Sequence, residues 1–224
     1  MGATVTATFV FTDLVDSTAT AARLGPGAAE ELRQTHFRLL RGAVTASGGT
    51  EVKNLGDGLM VMYSSPSRAL SGATGMQQAV EHHNRSASEP LGVRIGISVG
   101  EATEEDDDFF GDPVVEAARL CAAAEGGQIL AADVVRALVG RHATQTFTDV
   151  GPLELKGLPE PVETVAVVWE PVTIAGSVPL PGRLVGAATD ALFGFFGRSD
   201  ELEAFDEIAK RARSSSAGRV AATQ

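Results

Sequence analysis

Val93, Ile95, Ile97 and Val99 alternate with Arg94, Gly96, Ser98 and Gly100, a period of two that predicts a strand with one apolar face. Thr4 to Phe11 alternates and then runs apolar, as expected of a strand buried on both faces. Val52–Met62 carries two short apolar runs joined at Gly56-Asp57-Gly58, so it reads as a hairpin with a carboxylate at its tip. Helical stretches lie between. Ser17-Thr18 are expected to cap a short helix through Leu24, ended by Gly25-Pro26-Gly27. Leu32, His36, Leu39, Leu40, Ala43 and Val44 recur at helical spacing, and Gly48-Gly49 closes that helix. Pro66 opens another, with Leu70, Ala73 and Val80 on one side.

Glu104 to Asp107 reads as a solvated acidic loop. Pro113 begins a helix to Ala124 whose inner positions are Val114, Ala117, Ala118 and Cys121, and Gly126-Gly127 stops it. Beyond it a strand is expected over Gln128–Ala131 and a helix over Asp133–Val139. Three short strands follow near Gln145–Val150, Leu153–Lys156 and Val162–Trp169. The texture then changes. Prolines and glycines without sustained period predict a linker over 171–187, and the stretch 188–224 carries an amphipathic helix ending near Arg213. The expected organisation is one domain over 1–170, the linker, and the helical start of a further, incomplete domain.

Bulk composition narrows the function classes. A formal charge of −11 argues against a nucleic-acid partner, since phosphate backbones are held by clustered Lys and Arg. Acidic charge is compatible with metal–phosphate complexes, where the cation supplies the positive field. The single Cys121 excludes an internal disulfide framework and points to a reducing cytoplasm. No apolar run approaches the roughly 18 residues that a membrane helix needs, and no leader pattern opens the chain. The expectation is a cytoplasmic protein with no membrane partner.

Candidate chemistry centres on two strand ends. Phe9-Val10-Phe11-Thr12-Asp13 ends in a carboxylate, and Leu14-Val15-Asp16-Ser17-Thr18 follows as a hydroxyl-rich loop opening a helix. Asp57 answers it from the hairpin tip. Two such carboxylates, one followed by a phosphate-suited loop, suggest a metal–nucleotide site. His36 reads as a core or boundary residue, His82 and His83 as solvated, and Cys121 as a small core hydrophobe.

Phe9–Thr18, Lys53–Gly58 and Asp108–Arg119, in this order and spacing, resemble the class III nucleotidyl cyclase catalytic domain over roughly residues 4 to 169. The resemblance implies an α+β fold with a ferredoxin-like βαββαβ core and extra C-terminal strands and helices. It implies an adenylate cyclase that turns ATP into 3′,5′-cyclic AMP and pyrophosphate. Asp13 and Asp57 match the metal-binding aspartates for two Mg²⁺ or Mn²⁺ ions, the Leu14 carbonyl completes the coordination, and backbone amides around Val15, Asp16, Ser17 and Thr18 hold the β- and γ-phosphates. Lys53 and Asp108 match the base readers. A Lys donor and an Asp acceptor complement N1 and N6 of adenine, whereas guanine reverses that pattern. A slip of the loop register would make Asp106 or Asp107 the reader. Arg119 matches the arginine that stabilises transition-state charge, and Lys156 sits where a basic γ-phosphate contact is common. Because the family divides these groups between two subunits, a homodimer with two shared sites is implied.

One position departs from that pattern. Val115 stands where the family carries a ribose-orienting Asn, and valine donates no hydrogen bond. A degenerate, nucleotide-sensing module is therefore the second reading. A dehalogenase-type phosphatase is a third, but it wants carboxylates two residues apart and Asp13 and Asp16 are three apart. The tail resembles the entry segment of ATPase domains in multidomain bacterial regulators, which implies regulation by a C-terminal region. It contains no G-x-x-x-x-G-K-[ST] loop.

Overall fold

A computed structural model describes residues 2–172. Eight strands form one sheet: β1 (Ala3–Leu14), β2 (Thr50–Asn54), β3 (Leu59–Tyr63), β4 (Val93–Glu105), β5 (Asp108–Phe110), β6 (Ile129–Ala132), β7 (Thr146–Leu153) and β8 (Val162–Val168). The helices are α1 (Ser17–Leu24), α2 (Pro26–Ser47), α3 (Pro66–Asn84), α4 (Asp112–Ala123) and α5 (Asp133–Val139). The sheet runs β2-β3-β1-β4-β6-β8-β7, with β5 paired to β4. Its first four strands, linked β1-α-β2-β3-α3-β4 and all antiparallel, are the expected βαββαβ core. β6 then joins β4 in parallel, and the β7–β8 pair extends the sheet.

The strand alternation sorts side chains to two faces. Val10 on β1 and Val93, Ile95 and Ile97 on β4 pack with Phe37, Leu40, Leu70 and Met76 of α2 and α3 and Val135 and Val139 of α5. Phe9 and Phe11 of β1 face the other way, against Met60, Phe109, Ala117 and Cys121. Cross-strand register explains how α4 fits there. Phe11 and Phe9 lie opposite Gly96 and Ser98, so large residues on β1 face small ones on β4. A Cβ at Gly96 would stand 2.2 Å from both the Ala117 carbonyl oxygen and the Cys121 nitrogen. The glycine lets α4 lie directly on the strand.

Two expectations are corrected. Glu104 and Glu105 belong to β4, and Asp106-Asp107, with φ of 50° and 62°, form the two-residue turn into β5. Left-handed conformation at both central residues is what a tight hairpin demands, and Asp tolerates it. The arm folds back so that Phe109 packs on Phe9, with ring centroids 5.4 Å apart. No separate strand forms over Leu153–Lys156, because β7 crosses a bulge between Asp149 and Gly151 and runs on to Leu153. Gly151, at φ 89°, makes that bulge possible.

No described helix is long and apolar enough to cross a membrane. The linker expected from 171 and the helix expected within 188–224 lie outside the described residues, apart from Pro171 and Val172.

Gly96→Ala should lower stability by about 1–3 kcal/mol, because the added methyl meets helix backbone that has no rotamer to give. Gly75→Ala, where the methyl meets only the Ala43 Cβ at 3.5 Å, should raise it by about 0.5–1 kcal/mol through helix propensity. Thermal melts of the two variants check the opposite signs.

Candidate active site

Asp13 is the penultimate residue of β1, and its opposite number on β4 is Arg94. The guanidinium reaches the Asp13 Oδ2 from Nε at 2.7 Å and from Nη2 at 2.6 Å, while Nη1 donates to the Ala122 carbonyl at 3.1 Å. Arg94 thus ties the first carboxylate to the C-terminal turn of α4. Asp57 comes from the turn between β2 and β3. Its backbone carbonyl accepts the Leu14 amide at 3.1 Å, and its Oδ2 accepts the Ser17 hydroxyl at 3.0 Å. The Asp57 carboxyl lies near enough to Asp13 for its negative charge to act on that group.

The turn is built to stay put. Gly56 N–H donates to Asn54 Oδ1 at 2.7 Å, Leu55 N–H to the Gly58 carbonyl at 2.8 Å, and Leu59 N–H to Thr12 Oγ1 at 2.9 Å. A Cβ at Gly58 would overlap the Thr12 carbonyl oxygen, so only glycine lets the turn lie flat against β1. Burial pushes the Asp13 carboxyl above its ordinary value. The Arg94 hydrogen bond opposes that shift and the Asp57 charge adds to it, leaving it raised. Two close carboxyls with one partly buried cation form a site that favours added positive charge.

The loop after Asp13 also departs from expectation. Asp16, in left-handed conformation at φ 56°, is the N-cap of α1, and neither Ser17 nor Thr18 caps it. The Ser17 hydroxyl serves Asp57 instead. The Val15 amide is used by the Gly92 carbonyl at 2.8 Å, so the amides that head the helix are those of Asp16, Ser17 and Thr18. A cavity of about 440 Å³ opens here, lined by Leu14, Ser17, Thr18, Gly56 and Asp57 and by α2 residues including Arg33.

The other candidates lie apart from this cluster. Lys53 of β2 and Asp108 of β5 form an ion pair at 2.5 Å, and Asp108 also accepts the Phe109 amide. The hydrogen bond from Lys53 holds the Asp108 carboxyl below its ordinary value. Asp106 and Asp107 are turn residues, so Asp108 is the member of the acidic run that meets Lys53. Arg119 is exposed on α4, with its guanidinium beside Gly157, the residue after the exposed Lys156. Val115 is 39% exposed one turn earlier. The hydrogen bonds of the Asp13 and Asp57 carboxyl groups among the described residues are to Arg94 and Ser17, and none is to Arg119 or Lys53.

Arg94 was not singled out by the sequence pattern. Its cue was faint, a cation at the polar position of an otherwise apolar strand, and only the β1–β4 register shows what it faces. Among the described residues no three His, Cys, Asp or Glu side chains group closely enough to hold an ion alone. The Asp13–Asp57 pair, with the Leu14 carbonyl, fits an ion of the Mg²⁺ or Mn²⁺ type that takes its remaining oxygens from phosphate and water.

The family model described as adenylate and guanylate cyclase catalytic domain matches residues 2–168. An uncharacterized protein of Mycobacterium tuberculosis is 38% identical over 160 residues, 71% of this chain and 40% of that protein. A protein named putative adenylate cyclase 3, from Rhizobium meliloti, is 33% identical over 148 residues, 60% of this chain and 24% of its own length. The chain therefore spans less than half the length of these curated relatives. Among solved structures, an adenylate/guanylate cyclase/hydrolase from Silicibacter pomeroyi superposes with a TM-score of 0.67 at 28% identity, covering 76% of this chain and 100% of that one. The adenylyl cyclase CyaB from P. aeruginosa shares the fold, with a TM-score of 0.66 at 23% identity over 76% of this chain and 97% of that one.

Beneath Arg94, Cys121 donates its thiol to the Arg94 carbonyl at 3.4 Å, and burial pushes the thiol up to about 12. Because the thiolate is the nucleophile, Cys121 should resist a disulfide reagent at pH 8 and react once per chain on unfolding in guanidinium. Titration with a chromogenic disulfide in both states checks this.

Proposed function

The chain belongs to the adenylate and guanylate cyclase catalytic domain family, and from that premise we propose that it makes 3′,5′-cyclic AMP and pyrophosphate from ATP. The observation that carries the choice of ATP is the Lys53–Asp108 pair. It sets a donor and an acceptor side by side, the complement of the adenine edge. Guanine would leave both groups against like partners, at about 1–3 kcal/mol for each unpaired group.

In the proposed reaction the ribose 3′-hydroxyl gives its proton to solvent water, its oxygen bonds to the α-phosphorus, and the bond from that phosphorus to the α–β bridging oxygen breaks as pyrophosphate leaves. Asp13, Asp57 and the Leu14 carbonyl would hold two Mg²⁺ or Mn²⁺ ions, which supply positive charge to the attacking and leaving oxygens when bound. The amides of Asp16, Ser17 and Thr18 would receive the β- and γ-phosphates at the start of α1. Arg94 would exchange Asp13 for phosphate oxygens as charge builds there. Arg119 would meet charge that develops on the α-phosphoryl group, and Lys156, beside it, would add a γ-phosphate contact.

The carboxylate cluster and Arg119 do not contact each other within one chain. We therefore assign each site to two copies, with the aspartates from one and the base readers and Arg119 from the other. Val115 favours a second reading, a nucleotide-binding regulatory module with no turnover, because no group at that position can orient the ribose. Incubation of the purified chain with Mn²⁺ and ATP separates the readings: cyclic AMP with pyrophosphate supports the first, and nucleotide binding without product supports the second.

Asp57→Ala and Arg119→Ala should each abolish cyclisation. Mixed one to one with subunit exchange, they should recover about a quarter of wild-type activity, since half the dimers would hold one intact site of two. A mixture that forms mixed dimers and stays inactive contradicts the shared site. Lys53→Glu combined with Asp108→Lys keeps an ion pair but reverses its polarity. It should cut kcat/KM for ATP by about tenfold or more and raise the relative use of GTP. Unchanged preference in steady-state assays removes the pair from base reading.

A further inference from the structure

The metal-site turn is tethered from a third element. His36 of α2 has no exposed surface, and its Nε2 lies 3.1 Å from the carbonyl oxygen of Asp57. That carbonyl already accepts the Leu14 amide at 3.1 Å, so both its lone pairs are used, one by the strand that carries Asp13 and one by α2. A carbonyl offers no proton, so Nε2 must be the donor and Nδ1 the bare nitrogen. Nδ1 is buried without a hydrogen-bond partner among the described residues. A proton on Nδ1 would find no acceptor there, so the ring stands in the single tautomer that donates from Nε2.

An orphaned buried acceptor is a cost that phenylalanine or leucine would not incur in the same space. The rest of the pocket asks only for an aromatic body, since the ring packs edge-on against Phe37 with centroids 4.9 Å apart. What the imidazole adds is the Nε2–H bond. The peptide plane after Asp57 is pinned by it, and the Asp57 Cα–Cβ direction follows from that plane. We propose that His36 is a positioning residue for Asp57, holding the second carboxyl where it meets Asp13. This rests on the reading of Asp57 as a metal ligand.

Mn²⁺ affinity of the full chain without nucleotide, read from the paramagnetic resonance signal of the free ion, tests the assignment. Asp57→Ala should weaken binding by more than about tenfold, and His36→Phe by about tenfold while the fold is kept, the scale on which outer partners act on a ligand. His36→Gln should bind closer to wild type than to the phenylalanine variant, because its amide N–H stands as many bonds from Cα as Nε2 does. A folded His36→Phe chain with wild-type affinity, beside a weakened Asp57→Ala, overturns the proposal and leaves the metal reading intact. Wild-type affinity in Asp57→Ala overturns both. Should His36→Phe fail to fold, the long-range ¹H–¹⁵N spectrum of the wild-type imidazole decides. Protonation at Nε2 supports the assignment, and protonation at Nδ1 overturns it.

Discussion

Two carboxyl groups do not rest against each other inside a fold unless other forces hold them there. Asp13 comes from the end of β1 and Asp57 from the β2–β3 turn, 44 residues on, and their mutual charge works to separate them. The backbone overrides that repulsion. The Leu14 amide bonds the Asp57 carbonyl, Gly58 lies flat against Thr12, and Thr12 Oγ1 accepts the Leu59 amide. Arg94 then neutralises part of the charge from the opposite strand. The hairpin seam thus holds two acidic groups near each other, which on the proposed reading suits a bound cation.

The rest of the molecule follows from keeping that seam and α4 on one face of the sheet. Small residues on β4 admit the helix, and large ones on β1 fill the space that remains. Arg94 bridges the two, with Asp13 at one side and the carbonyl of Ala122 at the other. On the proposed reading the seam serves one site and α4, through Arg119, serves its twin. One side chain then stands between the two half-sites that a single chain contributes.

Local patterning made much of this legible. The period of two in Val93–Gly100, the Gly56-Asp57-Gly58 turn and the apolar stripe of α2 each match a real element, because burial on one face leaves its spacing in the sequence. The acidic run misled for a physical reason. Charge at Glu104–Asp107 marks solvent, but the end of a strand can be solvated too, and Asp is also a residue that fits a left-handed turn. Arg94 and His36 were unreadable as site residues because their importance lies in register. Arg94 matters through a cross-strand neighbour 81 residues away, and His36 through a carbonyl whose position no local pattern reveals.

The most direct test of the central claim is an anomalous difference map from crystals soaked with Mn²⁺ and an ATP analogue that cannot cyclise. The account predicts manganese peaks between the Asp13 and Asp57 carboxylates, with Arg94 released from Asp13 and the purine against Lys53 and Asp108 of a second copy. Manganese bound elsewhere while the nucleotide is present, with the Asp13–Arg94 pair intact, would contradict it.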